Sequence, residues 1–328
     1  MSVYIYGIIS AKENSSFGPI GMNNNEVCTI RHQDIAAAVS NIPGHIIEPT
    51  REDALAHEKV IREIMKECSV IPMGFGIIAK NEDGIRKILE KGHDEFKAML
   101  KKVKGKMQVD VKVSWDTNRI YADVLKENKK IQKLKEMVSK NPSARNLKIE
   151  LGKVVKNVMD EKRNSYVNEV KNALGMFSND SEENKLMDES MIMNTSFLVD
   201  KDKENNFYDK VNELEEKSGG KLQIIAVGPL PAYNFTKMKI EKIDFNIIDN
   251  ARKILGLGEK AAMEEIENAH RNLAYRHHPD RQGNEKQFKK IEKAYALLIN
   301  YCRHSSSPYS FKKEDVESTI MIMKKAKG

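Results

Sequence analysis

Residues 245–303 constrain the chain most, because they repeat one helical pattern three times and break it twice at short intervals. Ile248, Ala251 and Leu255 recur at helical spacing and predict a short amphipathic helix, which Gly256 and Gly258 then interrupt. Ile266, Ala269 and Leu273 give a second apolar stripe, with Arg271 and Arg276 among the residues off it. That helix must stop near His277, since His278 precedes Pro279 and a residue before proline is driven out of the α region. Asp280 to Asn284, with Gly283, has turn composition. Phe288, Ile291, Tyr295, Leu298 and Cys302 form a third stripe, long enough to pack antiparallel against the second. The tripeptide His278-Pro279-Asp280 is therefore expected at the tip of a helical hairpin.

This segment resembles the J domain of the DnaJ co-chaperones, through residues 253–256, 269–280 and 288–298 taken in order and spacing. The resemblance implies that His278, Pro279 and Asp280 contact a DnaK-type ATPase chaperone and stimulate its hydrolysis, with Arg271 and Arg276 adding basic contacts. Glu267 and Asn272 stand where J domains usually carry basic residues, and His270 and His277 stand where tyrosines are usual. Reduced positive charge weakens steering toward an acidic partner.

Composition limits the remainder. A chain of 328 residues with 40% apolar content has room for two or three globular domains. No run approaches the ~20 apolar residues of a membrane span, and the start lacks the pattern of a signal peptide, so a cytoplasmic protein with no membrane partner is expected. Cys28, Cys68 and Cys302 lack paired spacing and suggest neither disulfide nor thiolate metal site. The formal charge is +7, of which residues from 246 onward carry 16 Lys+Arg against 11 Asp+Glu; only +2 is left for the first 245 residues. The run Lys101-Lys102, Lys104 and Lys106 reads as a helix C-terminus, and no nucleic-acid partner is expected.

The N-terminal part alternates strand and helix signals. Strands are predicted over 3–9, 27–32 and 35–40, then a helix capped at Thr50 with Leu55, Ile61, Ile64 and Met65 on its apolar face. Pro72, Gly74 and Gly76 mark an irregular strand over 70–79, a helix follows over 81–104, and Val109, Val111 and Val113 alternate as a strand. Helices on one face of a mostly antiparallel sheet is the economical assembly. Further on, helices are predicted over 119–138, 144–174 and 205–217, strands over 191–199 and 222–227, and a polar loop over 178–184. The stripe Leu147, Leu151, Val154, Val155, Val158 and Met159 reads as the inward side of a long helix. Ser305-Ser306-Ser307-Pro308 is expected to be a flexible break before a final helix sharing Val316, Ile320 and Met323 on one face.

These residues carry a second resemblance, to the GvpL/GvpF family of gas vesicle proteins. The matching pieces are Val3-Tyr4-Ile5-Tyr6-Gly7-Ile8, His57, Ile71-Pro72-Met73-Gly74-Phe75-Gly76, Gly105-Lys106 and Gly228-Pro229-Leu230-Pro231-Ala232-Tyr233-Asn234-Phe235. Gly74 replaces a frequent arginine and Leu230 a common aromatic. The expected fold is α+β: two small α/β lobes, ferredoxin-like or related, over 1–116 and 117–240, then an all-α helical-hairpin J domain over 241–303 and a linker and tail over 304–328.

Catalytic patterns are lacking: there is no phosphate-binding glycine loop, no H-E-x-x-H and no Cys-x-x-Cys. His57 has no paired nucleophile and reads as a packed or hydrogen-bonded histidine. His270, His277 and His278 lack a completing ligand for a metal site. No enzyme, cofactor or metal is expected. The resemblances together imply an assembly factor or minor vesicle component that binds the apolar gas vesicle shell protein GvpA and other gas vesicle proteins. Its J domain would recruit the DnaK-type chaperone. The alternatives are a structural wall component with a degenerate J domain, or a general J-domain co-chaperone.

Overall fold

The computed structural model describes residues 2–11, 16–43, 50–242, 244–279, 284–303, 308–318 and 320–324. The chain opens with strands β1 (Ser2–Ser10), β2 (Ser16–Gly18), β3 (Val27–His32) and β4 (Ile35–Ile42), then helix α1 (Arg51–Glu67) and short strands β5 (Val70–Pro72) and β6 (Ile78–Ala79). Helices α2 (Glu82–Lys91) and α3 (His93–Val103) follow. The sheet runs β2-β3-β4-β1-β5 with β6 also on β1, and its pairings are antiparallel.

β1 is apolar at nearly every position, so it needs cover on both sides. A bulge between Ile5 and Gly7 makes Tyr6 the extra residue against β4 and reverses which face the later side chains meet. Val3, Ile5 and Ile8 pack with Ile85, Leu89 and Phe96 of α2 and α3, while Tyr4, Tyr6 and Ile9 pack with Val60, Ile61 and Ile64 of α1. The expectation of helices on one face is thus wrong for this lobe. The single helix expected over 81–104 is also two, divided at Gly92, which ends α2 and starts α3.

The second lobe comprises β7 (Lys106–Trp115), α4 (Thr117–Glu127), α5 (Lys129–Lys140), α6 (Arg145–Gly175), β8 (Ser178–Glu183), β9 (Met191–Asp200), α7 (Glu204–Lys217) and β10 (Leu222–Leu230), so it starts before the expected bound at 117, because β7 pairs with β9 and β10 and not with the first sheet. Its antiparallel order β10-β7-β9-β8, with helices after the first and third strands, is the ferredoxin-like β-α-β-β-α-β arrangement. Residues 178–183, expected as loop, form the edge strand β8. Their polarity suits an edge exposed along alternate residues, and pairing with β9 supplies the backbone partners. The α6 stripe does face inward: Leu151, Val154, Val155, Val158 and Met159 are partly buried against the lobe core, and Val170 and Leu174 fully.

The two lobes touch through named contacts. Lys102 pairs with Asp180 at 2.8 Å, the Gly105 amide donates to Ser69 Oγ at 3.1 Å, and Lys201 Nζ donates to the Met65 carbonyl at 3.0 Å. Val103, Leu198, Ala232 and Phe235 form a small apolar cluster beside them.

The remaining elements are β11 (Met238–Lys242), α8 (Phe245–Ile254), β12 (Lys260–Ala261), α9 (Met263–His277), α10 (Glu285–Arg303), β13 (Tyr309–Ser310), α11 (Lys313–Ser318) and β14 (Ile320–Lys324). Ile248, Ala251, Ile266, Ile291, Leu298 and Tyr301 form the bundle core, joined by Phe311 and Val316 from beyond α10. β13 pairs with β12, and the Tyr301 hydroxyl donates to the Ser310 carbonyl at 2.5 Å. The final helix expected through Ile320 and Met323 stops at Ser318; Ile320–Lys324 is a strand paired with β11. An unbroken apolar run satisfies either period, and here strand pairing decides. The expected break at 305–308 falls, except for Pro308, outside the described residues.

Candidate functional site at the helical tip and its counterpart in the body

At the tip, α9 is started by the Glu265 carboxylate, which accepts the Ala262 amide at 2.7 Å. It ends as expected: His278 is extended (φ −62°, ψ 130°) before Pro279. The Asn284 side chain accepts the Gln287 amide at 3.1 Å and starts α10. Asp280 lies outside the described residues, as do 281–283.

His278 is half-buried, with its ring edge-on to Phe288 at 5.2 Å. Both line an open groove of about 750 Å³ between α9 and α10, together with Arg271, Tyr275, His270 and Tyr295. Arg271 is exposed and lies on this groove face. Arg276 is also exposed but five residues on, about 140° around the helix, and does not line the groove. The structure therefore brings Arg271 and His278 together and sets Arg276 on a separate face.

The far wall of the groove went unread in the sequence. Phe288 and Tyr295 appeared only as stripe residues. The His270 ring stacks on Tyr295 at 3.9 Å and 9°, and its Nε2 meets Glu292 Oε1 at 2.7 Å. Tyr275 stands 62% exposed on the groove rim. With Glu267 also lining it, this face mixes acid, base and aromatic side chains.

In the body, the family-like segments converge on one buried node. Tyr4 and Tyr6 of β1 meet His57 of α1 and Phe75 in mutual ring contacts between 4.9 and 6.1 Å. His57 Nε2 lies 3.0 Å from the Met73 carbonyl, which can only accept, so this nitrogen carries the proton. Nδ1 then accepts from the Tyr4 hydroxyl at 2.9 Å, and that hydroxyl accepts the Gly76 amide at 3.1 Å. Burial holds the His57 imidazole below the usual histidine range, which keeps this neutral arrangement. His57 is thus a hydrogen-bonded core histidine. Gly7 is needed for close approach, since a Cβ there would meet Val70 Cγ2 at 2.5 Å.

The proline-rich segment at 228–235 is held by a second network. The Asn234 amide N–H donates to Gln108 Oε1 at 2.8 Å, and its side chain donates to Ser196 Oγ at 2.5 Å and Asn184 Oδ1 at 3.2 Å. Ser196 in turn donates to Asp110 at 2.5 Å. Tyr233 packs on the first lobe's α1-side core, where burial pushes its hydroxyl up to about 12. A Cβ on Gly228 would lie 2.8 Å from the Tyr208 hydroxyl, so this position too is fixed by close approach. Gly74, where arginine is frequent, has open space around it, and Leu230 is buried.

Comparison with known proteins agrees with this division. Residues 2–237 match the family described as gas vesicle synthesis protein GvpL/GvpF, and residues 251–304 match the DnaJ domain. Gas vesicle protein F of Streptomyces sp. (strain CB03234) is 27% identical over 241 residues, spanning 72% of this chain and 100% of that protein. Gas vesicle protein F1 of Halobacterium salinarum is 26% identical over 243 residues, 73% of this chain and 94% of its own length. A chaperone protein DnaJ from Herminiimonas arsenicoxydans is 50% identical over 50 residues, 14% of this chain and 13% of that protein. The crystal structure of GvpF from Anabaena sp. PCC7120 superposes with a TM-score of 0.66 at 20% identity, covering 72% of this chain and 98% of that one. The chain belongs to the GvpL/GvpF family of gas vesicle synthesis proteins and carries a DnaJ domain behind its two-lobed body.

Proposed function

We propose that this protein is a non-enzymatic gas vesicle assembly factor whose body holds apolar shell subunits of the GvpA type while its J domain recruits a DnaK-type ATPase. The observation that carries this reading is the union on one chain of a GvpL/GvpF body and a DnaJ domain whose sequence holds His278-Pro279-Asp280 between the stretches that form α9 and α10. Apolar strands awaiting assembly aggregate through open edges, and a holder tied to an ATP-driven chaperone offsets that hazard. In this reading His278, Pro279, Asp280 and Arg271 make the chaperone contact at the tip, and Arg276 adds charge from the neighbouring face. The site of action is the cytoplasm, at growing vesicles; among the described residues no helix is long and apolar enough to cross a membrane.

The test is gas vesicle formation in cells carrying the parent chain or Asp280→Asn. The proposal expects fewer or collapsed vesicles with the variant at equal protein level. Equal vesicle yield removes chaperone recruitment from the function. A second reading, a wall component with a docking bundle in place of an active J domain, is favoured by Glu267 and the His270–Glu292 pair on the groove. Co-fractionation with intact vesicles, without stimulation of the chaperone, would support that one.

A further inference from the structure

The groove between α9 and α10 holds a carboxylate that the proposed chaperone contact leaves unused. Glu267, Arg271, Tyr275 and His278 line it at intervals of four, four and three residues, one stripe along α9 about 16 Å long. The opposite wall is Phe288, beside His278, and Tyr295, on which His270 stacks. The two carboxylates toward the His270 end differ. Glu292 is held by His270 Nε2 at 2.7 Å, whereas Glu267 is exposed and, among the described residues, makes no ion pair. Arg271 is likewise exposed and without an ion pair among the described residues, although a four-residue spacing would let it reach Glu267. Along one face the stripe therefore presents a carboxylate, a guanidinium about 6 Å further on, and His278 at the tip.

We propose that the DnaK-type partner presents a basic side chain to Glu267 as well as an acidic one to Arg271, so that Glu267 selects which chaperone docks. This rests on the assembly-factor reading and adds the charge order of the partner. An occupant lying along the stripe from His278 takes Glu267 out of water, and a covered carboxylate with no counter-charge is strongly unfavourable. A partner surface of acidic groups alone would be attracted by Arg271 and repelled by Glu267 one turn away. A surface that carries a base and then an acid satisfies both, and its apolar groups can lie on Phe288 and Tyr295. Chaperones whose facing surface is acidic throughout are then excluded by repulsion, which is how a single exposed charge confers specificity.

The experiment is surface plasmon resonance of the full-length protein on the immobilised DnaK-type chaperone from the same cell, with ATP present. Glu267→Gln removes one charge pair and should weaken binding by about five-fold. Glu267→Lys sets two like charges together and should weaken it by roughly ten-fold or more. Both losses should appear in the dissociation rate, because the pair is covered in the complex. Glu264→Lys makes the same charge change three residues away and off the groove, and should leave the affinity within about two-fold. Glu264 and Glu267 are both exposed, so unchanged circular dichroism is expected for every variant. Equal or tighter binding by Glu267→Lys overturns the proposal. So does a loss for Glu264→Lys as large as that for Glu267→Lys, which would mark an effect of net charge. If the parent binds and stimulates the chaperone while Asp280→Asn does not stimulate it, either outcome removes only the charge order and leaves the assembly-factor reading standing. A parent that does not bind overturns both.

Discussion

In the body, the residues that carry the family resemblance point inward. Tyr4, Tyr6 and His57 are buried and hydrogen-bonded, Gly7 and Gly228 sit against neighbouring atoms, and Asn234 is tied into a polar network spanning β7 and β9. In the helical unit, Ile291 and Leu298 of the J-domain resemblance build the core, but its described tip residues point outward: His278 and Arg271 line an open groove and Pro279 is exposed. Motif residues of the first kind fix a shape, so their loss should appear as lost stability. Those of the second kind meet a partner, so their loss should appear as lost binding with the fold intact.

The sharpest break with this comparison lies within the helical unit itself, which also has a buried anchor outside its motif. Phe311→Ala empties a fully buried ring site beside Tyr301 and should cost about 3–5 kcal/mol. Limited proteolysis should then cut the 245–318 region while the body stays protected; equal protection would show that the segment after α10 is not part of the bundle. Next, Tyr4→Phe deletes the hydroxyl that serves both His57 and the Gly76 amide, and should lower stability by about 1–3 kcal/mol in urea unfolding.

The tip variants should behave in the opposite way. Arg271→Ala and Arg276→Ala are each expected to leave the unfolding midpoint within about 0.5 kcal/mol of the parent. Chaperone affinity should fall roughly ten-fold for Arg271→Ala, which shares the groove with His278, and less for Arg276→Ala. Surface plasmon resonance on the immobilised chaperone reads this directly. A loss for Arg276→Ala equal to that for Arg271→Ala would show that the groove face is not the contact.

The smallest effect is a pH dependence confined to the body. His57 is held neutral by burial, so the unfolded chain binds a proton near pH 6.5 that the folded chain resists. Its contribution is therefore complete above about pH 6.5 and is lost as pH falls toward the depressed folded value. The parent should lose more stability than His57→Gln over that interval. Parallel curves would mean that the imidazole is not held neutral.

How far each region was legible follows from the same contrast. Helical periodicity marked α8, α9 and α10, and the proline rule fixed the end of α9 at His277, because those signals are local. The groove wall was not legible: Phe288, Tyr295 and the His270–Glu292 contact depend on how two helices rotate against each other. In the body, strand positions were readable, but the bulge at Tyr6 that switches the faces met by the later side chains leaves no mark in an all-apolar strand. β8 was missed because a polar edge strand looks like a loop until its partner is known. Residues 320–324 read as helix for the reverse reason, since an apolar run fits either period until β11 pairs with it.

The account stands most directly on one rate: the steady-state ATPase activity of the DnaK-type chaperone from the same cell, with the full-length protein added as parent or as Asp280→Asn. Stimulation by the parent that disappears in the variant, with both proteins equally folded, is the predicted result. Equal rates for parent, variant and chaperone alone would contradict it and leave a vesicle protein whose J-shaped bundle serves some other contact.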